Sequence, residues 1–263
     1  MGGGESEFIL PNVSHCIEEN EVHYNPTELI IKYTVSDAYV PTQLYYYHDY
    51  DGYRGADKFS KIEVDGTTLS IADLDSANGQ YQLSAGDHIV KYTLKDSTYI
   101  PAYCFGGCDN ITNVIIPDSI KAIDGHAFTN CTNLTVITIG RGLNTIDGNA
   151  FDGCNLTNLT INCPTIKMGW FTGLQLENVT LGKNVQTIED GAFCGCDYIN
   201  EEDKEAIEAI NPHTFCETYC VIATFDDDIE KADFGPLKAL GYSFKDSEVS
   251  IPNGEIIMEG RMG

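Results

Sequence analysis

Few residues of this chain are of a type and spacing that could do chemistry, and they fall into four groups. "FCETYC" at 215–220, with His213 just upstream, gathers Cys216, Cys220 and one histidine. A Cys–His pair is what a thiol nucleophile and its base require, and it is also half of a zinc site. C-x3-C with one histidine lacks a fourth ligand and a C-x2-C partner pair, and no orienting or oxyanion group stands beside it. "DLDSANG" at 73–79 and "FDDDIE" at 225–230 cluster carboxylates as calcium loops do, through Asp73 and Asp75 in the first. The fifth-position acid and the closing glutamate of an EF-hand are missing, so both read as solvated turns. "YYYHDYDGY" at 45–53 sets five tyrosines in nine residues. On a strand Tyr45 and Tyr47 share one face and Tyr46 takes the other, with Tyr50 and Tyr53 near a turn. Tyr45, Tyr47, Tyr50 and Tyr53 are therefore the candidate contacts for a sugar or a protein. Last, "IDGHAFTNC" at 123–131 returns as "IDGNAFDGC" at 146–154, carrying Cys131, Cys154 and His126.

The elements that must position these groups change character along the chain. Residues 1–20 are polar and without period, a flexible tether. From 21 to 98, β-branched and aromatic runs alternate with Gly, Asp, Asn and Ser turns, and His88, Val90, Tyr92 and Leu94 alternate with Ile89, Lys91 and Thr93 at the strand period of two. "VDGT" at 64–67 and "AGDH" at 85–88 have hairpin-turn composition. The expectation is a small antiparallel β-sandwich-like domain.

From residue 99 a longer period takes over. Phe105, Phe128, Phe151, Phe171, Phe193 and Phe215 recur at spacings of 23, 23, 20, 22 and 22. Cys108, Cys131, Cys154 and Cys196 keep register with them, as do Ile100, Ile123, Ile146, Ile188 and Ile210. One short apolar strand per unit of this length marks a solenoid of leucine-rich type, because a single coil cannot bury its own apolar face and stacked coils can. Phe105, Phe128, Phe151 and Phe193 with Cys108, Cys131, Cys154 and Cys196 are the expected repeat core. Ala127, Ala150 and Ala192 leave room for the rings, and Asp-Gly at 124–125 and 147–148 is where the chain is expected to bend. Cysteine suits a small buried slot, so the aligned thiols read as free, although adjacent coils leave disulfides conceivable. Residues 200–210 read as a helix with Asn200 as N-cap, Asp203 three residues on and Asn211-Pro212 as the stop. With residues 200–263 it forms an α/β cap on the open end. The recurring "NLT" triplets follow from the repeat itself and carry no message about N-glycans.

The order I-x-x-x-A-F-x-x-C-x-x-L-x-x-I-x-I resembles the BspA-like leucine-rich repeats of Bacteroidetes-type surface proteins, and "IIPDSIKAI" at 115–123 matches that family's strand-to-turn wording. The resemblance covers residues 99–199 and fades toward 220, and "SAGDHIVKYTLKD" running into the repeats resembles the Ig-like modules that accompany them. It implies a mainly β chain: a tether (1–20), an Ig-like β-domain (21–98), repeats (99–199) and a helix-containing cap (200–263). It also implies a non-enzymatic cell-surface or extracellular protein that adheres to host or neighbouring-cell proteins. The Gly-rich, acidic opening would suit a tether below a lipid anchor.

Composition agrees with that class. Forty acidic against fifteen basic residues leave a formal charge of −25, a field that repels nucleic-acid phosphates and anionic membranes. No run of 18 apolar residues occurs, so no membrane-spanning segment is expected, and no cofactor motif is present. A glycan-binding accessory protein using the tyrosines is the alternative. A hydrolase using Cys216 and His213 is the third reading.

Overall fold

In the computed structural model, residues 27–48, 53–215, 220–224 and 255–259 are described. The chain divides after Thr214 into two compact units. The first opens with β1 (Glu28–Val35), β2 (Thr42–Gln43), β3 (Tyr47–His48), β4 (Tyr53–Arg54), β5 (Phe59–Val64) and β6 (Thr67–Thr68). Helix α1 (Ile71–Ser76), β7 (Gln80–Tyr81) and β8 (Gly86–Leu94) follow. Alternation sorts the side chains: Leu29, Ile31, Tyr33 and Val35 of β1 and His88, Val90, Tyr92 and Leu94 of β8 are buried, and their neighbours face outward. β5 and β6 form the expected hairpin, with Asp65 and Gly66 left-handed at φ 48° and 81°. "AGDH" does not turn a hairpin, because Gly86 already begins β8 and β7 pairs with β2. "DLDSANG" is not a solvated turn: Asp73 and Asp75 lie in α1, whose N-cap Ser70 accepts a bond from the Asp73 amide.

The repeats supply β9 (Tyr99–Ile100), β10 (Ile111–Ile116), β11 (Ala122–Ile123), β12 (Val136–Ile139), β13 (Thr145–Ile146), β14 (Asn158–Ile161), β15 (Thr165–Ile166), β16 (Asn178–Leu181) and β17 (Thr187–Ile188). β10, β12, β14 and β16 pair in parallel as one wall of the solenoid. β9, β11 and β13 form a narrow second wall, and β15 and β17 a separate piece of it. The break falls where the Phe spacing shortens to 20 residues. That shortening also hides a residue: the fourth isoleucine of the series is the buried Ile166, whereas Ile210, expected in the series, is 39% exposed beyond the last coil.

Between the walls Phe105, Phe128 and Phe151 stack at 5.2 and 5.6 Å, and Phe171 and Phe193 at 5.4 Å, all buried. Cys108, Cys131 and Cys196 are buried and Cys154 is half-buried, all four free thiols along with Cys104 and Cys163. They do more than fill volume. The Cys131, Cys154 and Cys196 thiols donate to the carbonyls of Phe105, Phe128 and Phe171, one coil earlier, at 3.1, 3.0 and 2.9 Å. Each carbonyl already accepts an amide from its own turn, so the thiol takes the second lone pair and ties neighbouring coils together. Cys194, which lies outside the aligned series, is disulfide-bonded. Cys16 and Cys216 lie outside the described residues, as does the tether at 1–20.

Both edges of the repeat wall are closed, by different means. β1 lies antiparallel to β10, Ile30 opposite Ile115 and Lys32 opposite Asn113, and the strands run β16-β14-β12-β10-β1-β8-β5-β6 in one sheet. An Ig-like sandwich would set two sheets face to face. Here β1, β8, β5 and β6 extend the repeat sheet edgewise, which covers the β10 edge, while β2–β7 and β3–β4 are separate two-stranded pairs. At the other end the expected helix, α2 (Glu201–Glu208), stands where a further strand would. Asn200 caps it by accepting the Asp203 amide at 3.0 Å, and Asp203 Oδ2 accepts the Val179 amide of β16 at 2.7 Å. The second unit is described at β18 (Cys220–Thr224) and β19 (Glu255–Glu259), an antiparallel pair.

Candidate functional site

The repeat strands hold a surface that the sequence patterns did not single out. Inward positions are Ile, Val and Leu, so alternation turns the residues between them outward in two rows across the sheet. One row is Asn113, Val136, Asn158 and Asn178, and the other is Ile115, Thr138, Thr160 and Thr180. All are half-buried or exposed, and none is charged. The amides run on as a ladder: Asn178 Nδ2 donates to Asn158 Oδ1 at 2.9 Å, and Asn200 Nδ2 to Asn178 Oδ1 at 3.2 Å. Across β1 the character changes, because the rows continue into Lys32 and Ile89 and into Ile30, Lys91 and Glu63. Lys32 is paired to Asp87 at 2.8 Å and Lys61 to Glu63 at 2.6 Å. One continuous sheet thus has an ion-paired N-terminal part and an uncharged repeat part.

The turn side presents a second feature. Each coil has a residue immediately before its Ala-Phe slot, and at Tyr103, His126, Gly169 and Gly191 that residue is left-handed, with φ of 58°, 59°, 79° and 67°. The bend expected at Gly125 therefore falls one residue later, on His126. Glycine takes this conformation freely; Tyr103 and His126 take it at a cost of order 1 kcal/mol each. Their rings stack at 4.8 Å and 16° with Tyr103 42% exposed, and Tyr46 lies 6.0 Å beyond Tyr103. Two residues before His126, burial, and then the charge of Asp147 in the next coil, push the Asp124 carboxyl above its ordinary range.

Ser84, His88 and Asp65 stand in the order of nucleophile, base and orienter. His88 Nδ1 is 2.7 Å from Asp65 Oδ2 and its Nε2 is 3.3 Å from Ser84 Oγ. The Ser84 carbonyl is closer to Nε2, at 3.0 Å, and a carbonyl only accepts. Nε2 is consequently placed as a donor, the opposite of what a general base needs.

Of the candidate contact tyrosines, Tyr45 is corrected. It is fully buried against Phe59 at 5.4 Å, in a slot where a Cβ on Gly55 or Gly79 would strike its ring. Alternation identifies which residues share a face without saying which face meets the core. Tyr50 lies outside the described residues, and of Tyr47 and Tyr53 only the backbone is described, in the β3–β4 pair. Cys216 and the acidic run at 225–230 also lie outside. His213 is exposed, and its carbonyl continues the turn ladder by accepting the Gly191 amide at 3.0 Å. Among the described residues no three His, Cys, Asp or Glu converge as a metal would require, and no helix is long and apolar enough to cross a membrane. The "NLT" asparagines have structural work: Asn133 Nδ2 donates to the Asp109 carbonyl at 2.7 Å and Asn155 Nδ2 to that of Thr132 at 2.6 Å. Of the features missed, Tyr103 and His126 had a readable signal, large rings where two of the other coils carry Gly169 and Gly191. The uncharged rows had a weaker one, the Thr and Asn recurring between inward residues.

No curated protein matches this chain. It is similar to a leucine-rich repeat protein from Bacteroides ovatus of known crystal structure, with 22% identity over 45% of this chain and 36% of that one and a TM-score of 0.24. The chain thus spans about a third of the length of that protein. Six copies of the BspA type leucine rich repeat region match residues 98–231, half of the chain. With the recurring Ile, Phe and Cys positions forming one stacked core, the chain belongs to the BspA type leucine-rich repeat family.

Proposed function

We propose that this protein is a non-enzymatic interaction module, displayed at the cell surface on a lipid anchor, that binds a host extracellular or neighbouring-cell protein through the outward face of its repeat strands. Leucine-rich repeat domains commonly mediate protein interactions. The observation that supports this face is the absence of charge from both rows in a chain carrying −25. Burying an ion in an interface costs several kcal/mol unless it is paired. Threonine and asparagine keep a free face soluble, yet can be buried once the partner supplies donors and acceptors, and charge-poor centres distinguish interfaces from ordinary surface.

The test is surface-plasmon binding of the full chain to a panel of purified extracellular-matrix proteins. Thr138→Arg and Thr160→Arg should each weaken binding at least about tenfold, or about 1.4 kcal/mol, and Glu205→Lys on α2 should leave it unchanged. Equal binding by wild type and both face variants would move the site elsewhere. The glycan reading, with Tyr45 buried, is favoured instead by the exposed Tyr103–His126 stack, and array binding lost in Tyr103→Ala but kept in Thr138→Arg would select it.

A further inference from the structure

His88 begins the buried face of β8 and is 8% exposed. Its Nδ1 is 2.7 Å from Asp65 Oδ2, in the left-handed β5–β6 turn, and the other Asp65 oxygen is fixed by the Ile89 amide at 2.9 Å. Its Nε2 faces the Ser84 carbonyl at 3.0 Å. A carboxylate and a carbonyl only accept, so both ring nitrogens must donate, which only the imidazolium can do. When the ring is neutral with its proton kept on Nδ1 against Asp65, the Nε2 lone pair confronts the Ser84 carbonyl. The Ser84 hydroxyl, 3.3 Å away, is then the group able to satisfy it.

We propose that His88 is a proton-operated latch. Protonated, it clamps the β5–β6 turn and the loop before β8 onto the sheet through Asp65 and the Ser84 carbonyl. Deprotonated, it exchanges that carbonyl for the Ser84 hydroxyl and frees the loop. The inference is independent of the binding face proposed above.

The groups around the ring favour this. Asp65 faces it from the β5–β6 turn, and Asp87 adjoins it on β8, held by Lys32 Nζ and Thr34 Oγ1 of β1, each at 2.8 Å. Tyr33 is its cross-strand neighbour on β1, with a hydroxyl turned to Tyr92 and the Leu44 carbonyl. Burial works against the charged ring, but the Asp65 bond, the Ser84 carbonyl and the two carboxylate charges outweigh it, and the net direction is upward from 6.5. A raised folded value means the latch is fully closed below the ordinary histidine range and opens as pH rises through the higher folded value.

Nitrogen-detected NMR of the histidine rings in the full chain, titrated between about pH 5 and pH 9, tests this. His88 should carry protons on both nitrogens at pH 6.5 and titrate above it. Ser84→Ala should raise the midpoint, because the neutral ring loses its donor, and Asp65→Asn should lower it, each by about 0.5 unit or more. A His88 midpoint below 6.5 overturns the latch, and so does a Ser84→Ala midpoint that is unchanged or lower. Ser84 is exposed, so its variant tests the exchange even if Asp65→Asn loosens the hairpin.

Discussion

Replacing Asp203 by alanine tests how the last coil is closed. The Asp203 carboxylate accepts the Val179 amide at 2.7 Å and the Asn200 amide group at 2.7 Å, so one side chain joins the edge of β16 to the first turn of α2. A hydrogen bond to a charged group contributes roughly 1.5–3 kcal/mol, and the Val179 amide would be left at a half-buried edge that water reaches only in part. The helix-dipole contribution of the carboxylate is smaller, about 0.3–1 kcal/mol. Glu201 and Glu202 remain in the same turn to supply it. The edge bond therefore dominates, and Asp203→Ala should cost about 2 kcal/mol. Asp203→Asn, which keeps an accepting oxygen in place, should cost about half of that. Urea unfolding reads the global change, and native-state hydrogen exchange reads the local one. Protection of the Val179 amide should fall about thirtyfold, the equivalent of 2 kcal/mol. An alanine cost below about 0.5 kcal/mol with Val179 exchange unaltered would refute the closure, and α2 would then be an appendage rather than a cap.

The thiols make a second prediction. Burial pushes Cys196 up to about 12 and Cys163 up to about 11. At about pH 8 the thiolate fraction of each is about one in a thousand or less, so iodoacetamide should label them only after unfolding. Labelling of the folded chain at the rate of a free thiol would contradict that burial. Cys194 should stay unlabelled even in urea until a reductant is added. Phe128, buried between Phe105 and Phe151, should be the costlier kind of core loss: Phe128→Ala is expected to remove about 3–5 kcal/mol, measured by urea unfolding. A loss under about 1 kcal/mol would mean the ring stack is not continuous.

Much of the architecture was legible because it is written several times over. The Phe and Cys of each coil, the strand alternation on either side of them and the Asn200 cap are local patterns. A coil that buries one face by stacking must repeat the same residues at the same spacing. Legibility failed where the period did. The coil shortened to 20 residues hid Ile166, which keeps the five-residue offset to Phe171, while Ile210 keeps the same offset to Phe215 and is nevertheless exposed. It failed also at backbone detail: Asp-Gly draws the eye as a bend, yet the left-handed residue is His126.

By itself, then, the sequence determined the solenoid, its inward wall and the helix that ends it. Only the tertiary structure decided that β1 joins β10, that Tyr45 turns inward, that Asp203 reaches Val179 and that Asp65 and Ser84 meet on His88. A repeat announces itself through like residues at fixed spacing. A strand edge, a ring slot or a pair of acceptors is completed by residues far along the chain and unlike each other, so no local period encodes the meeting.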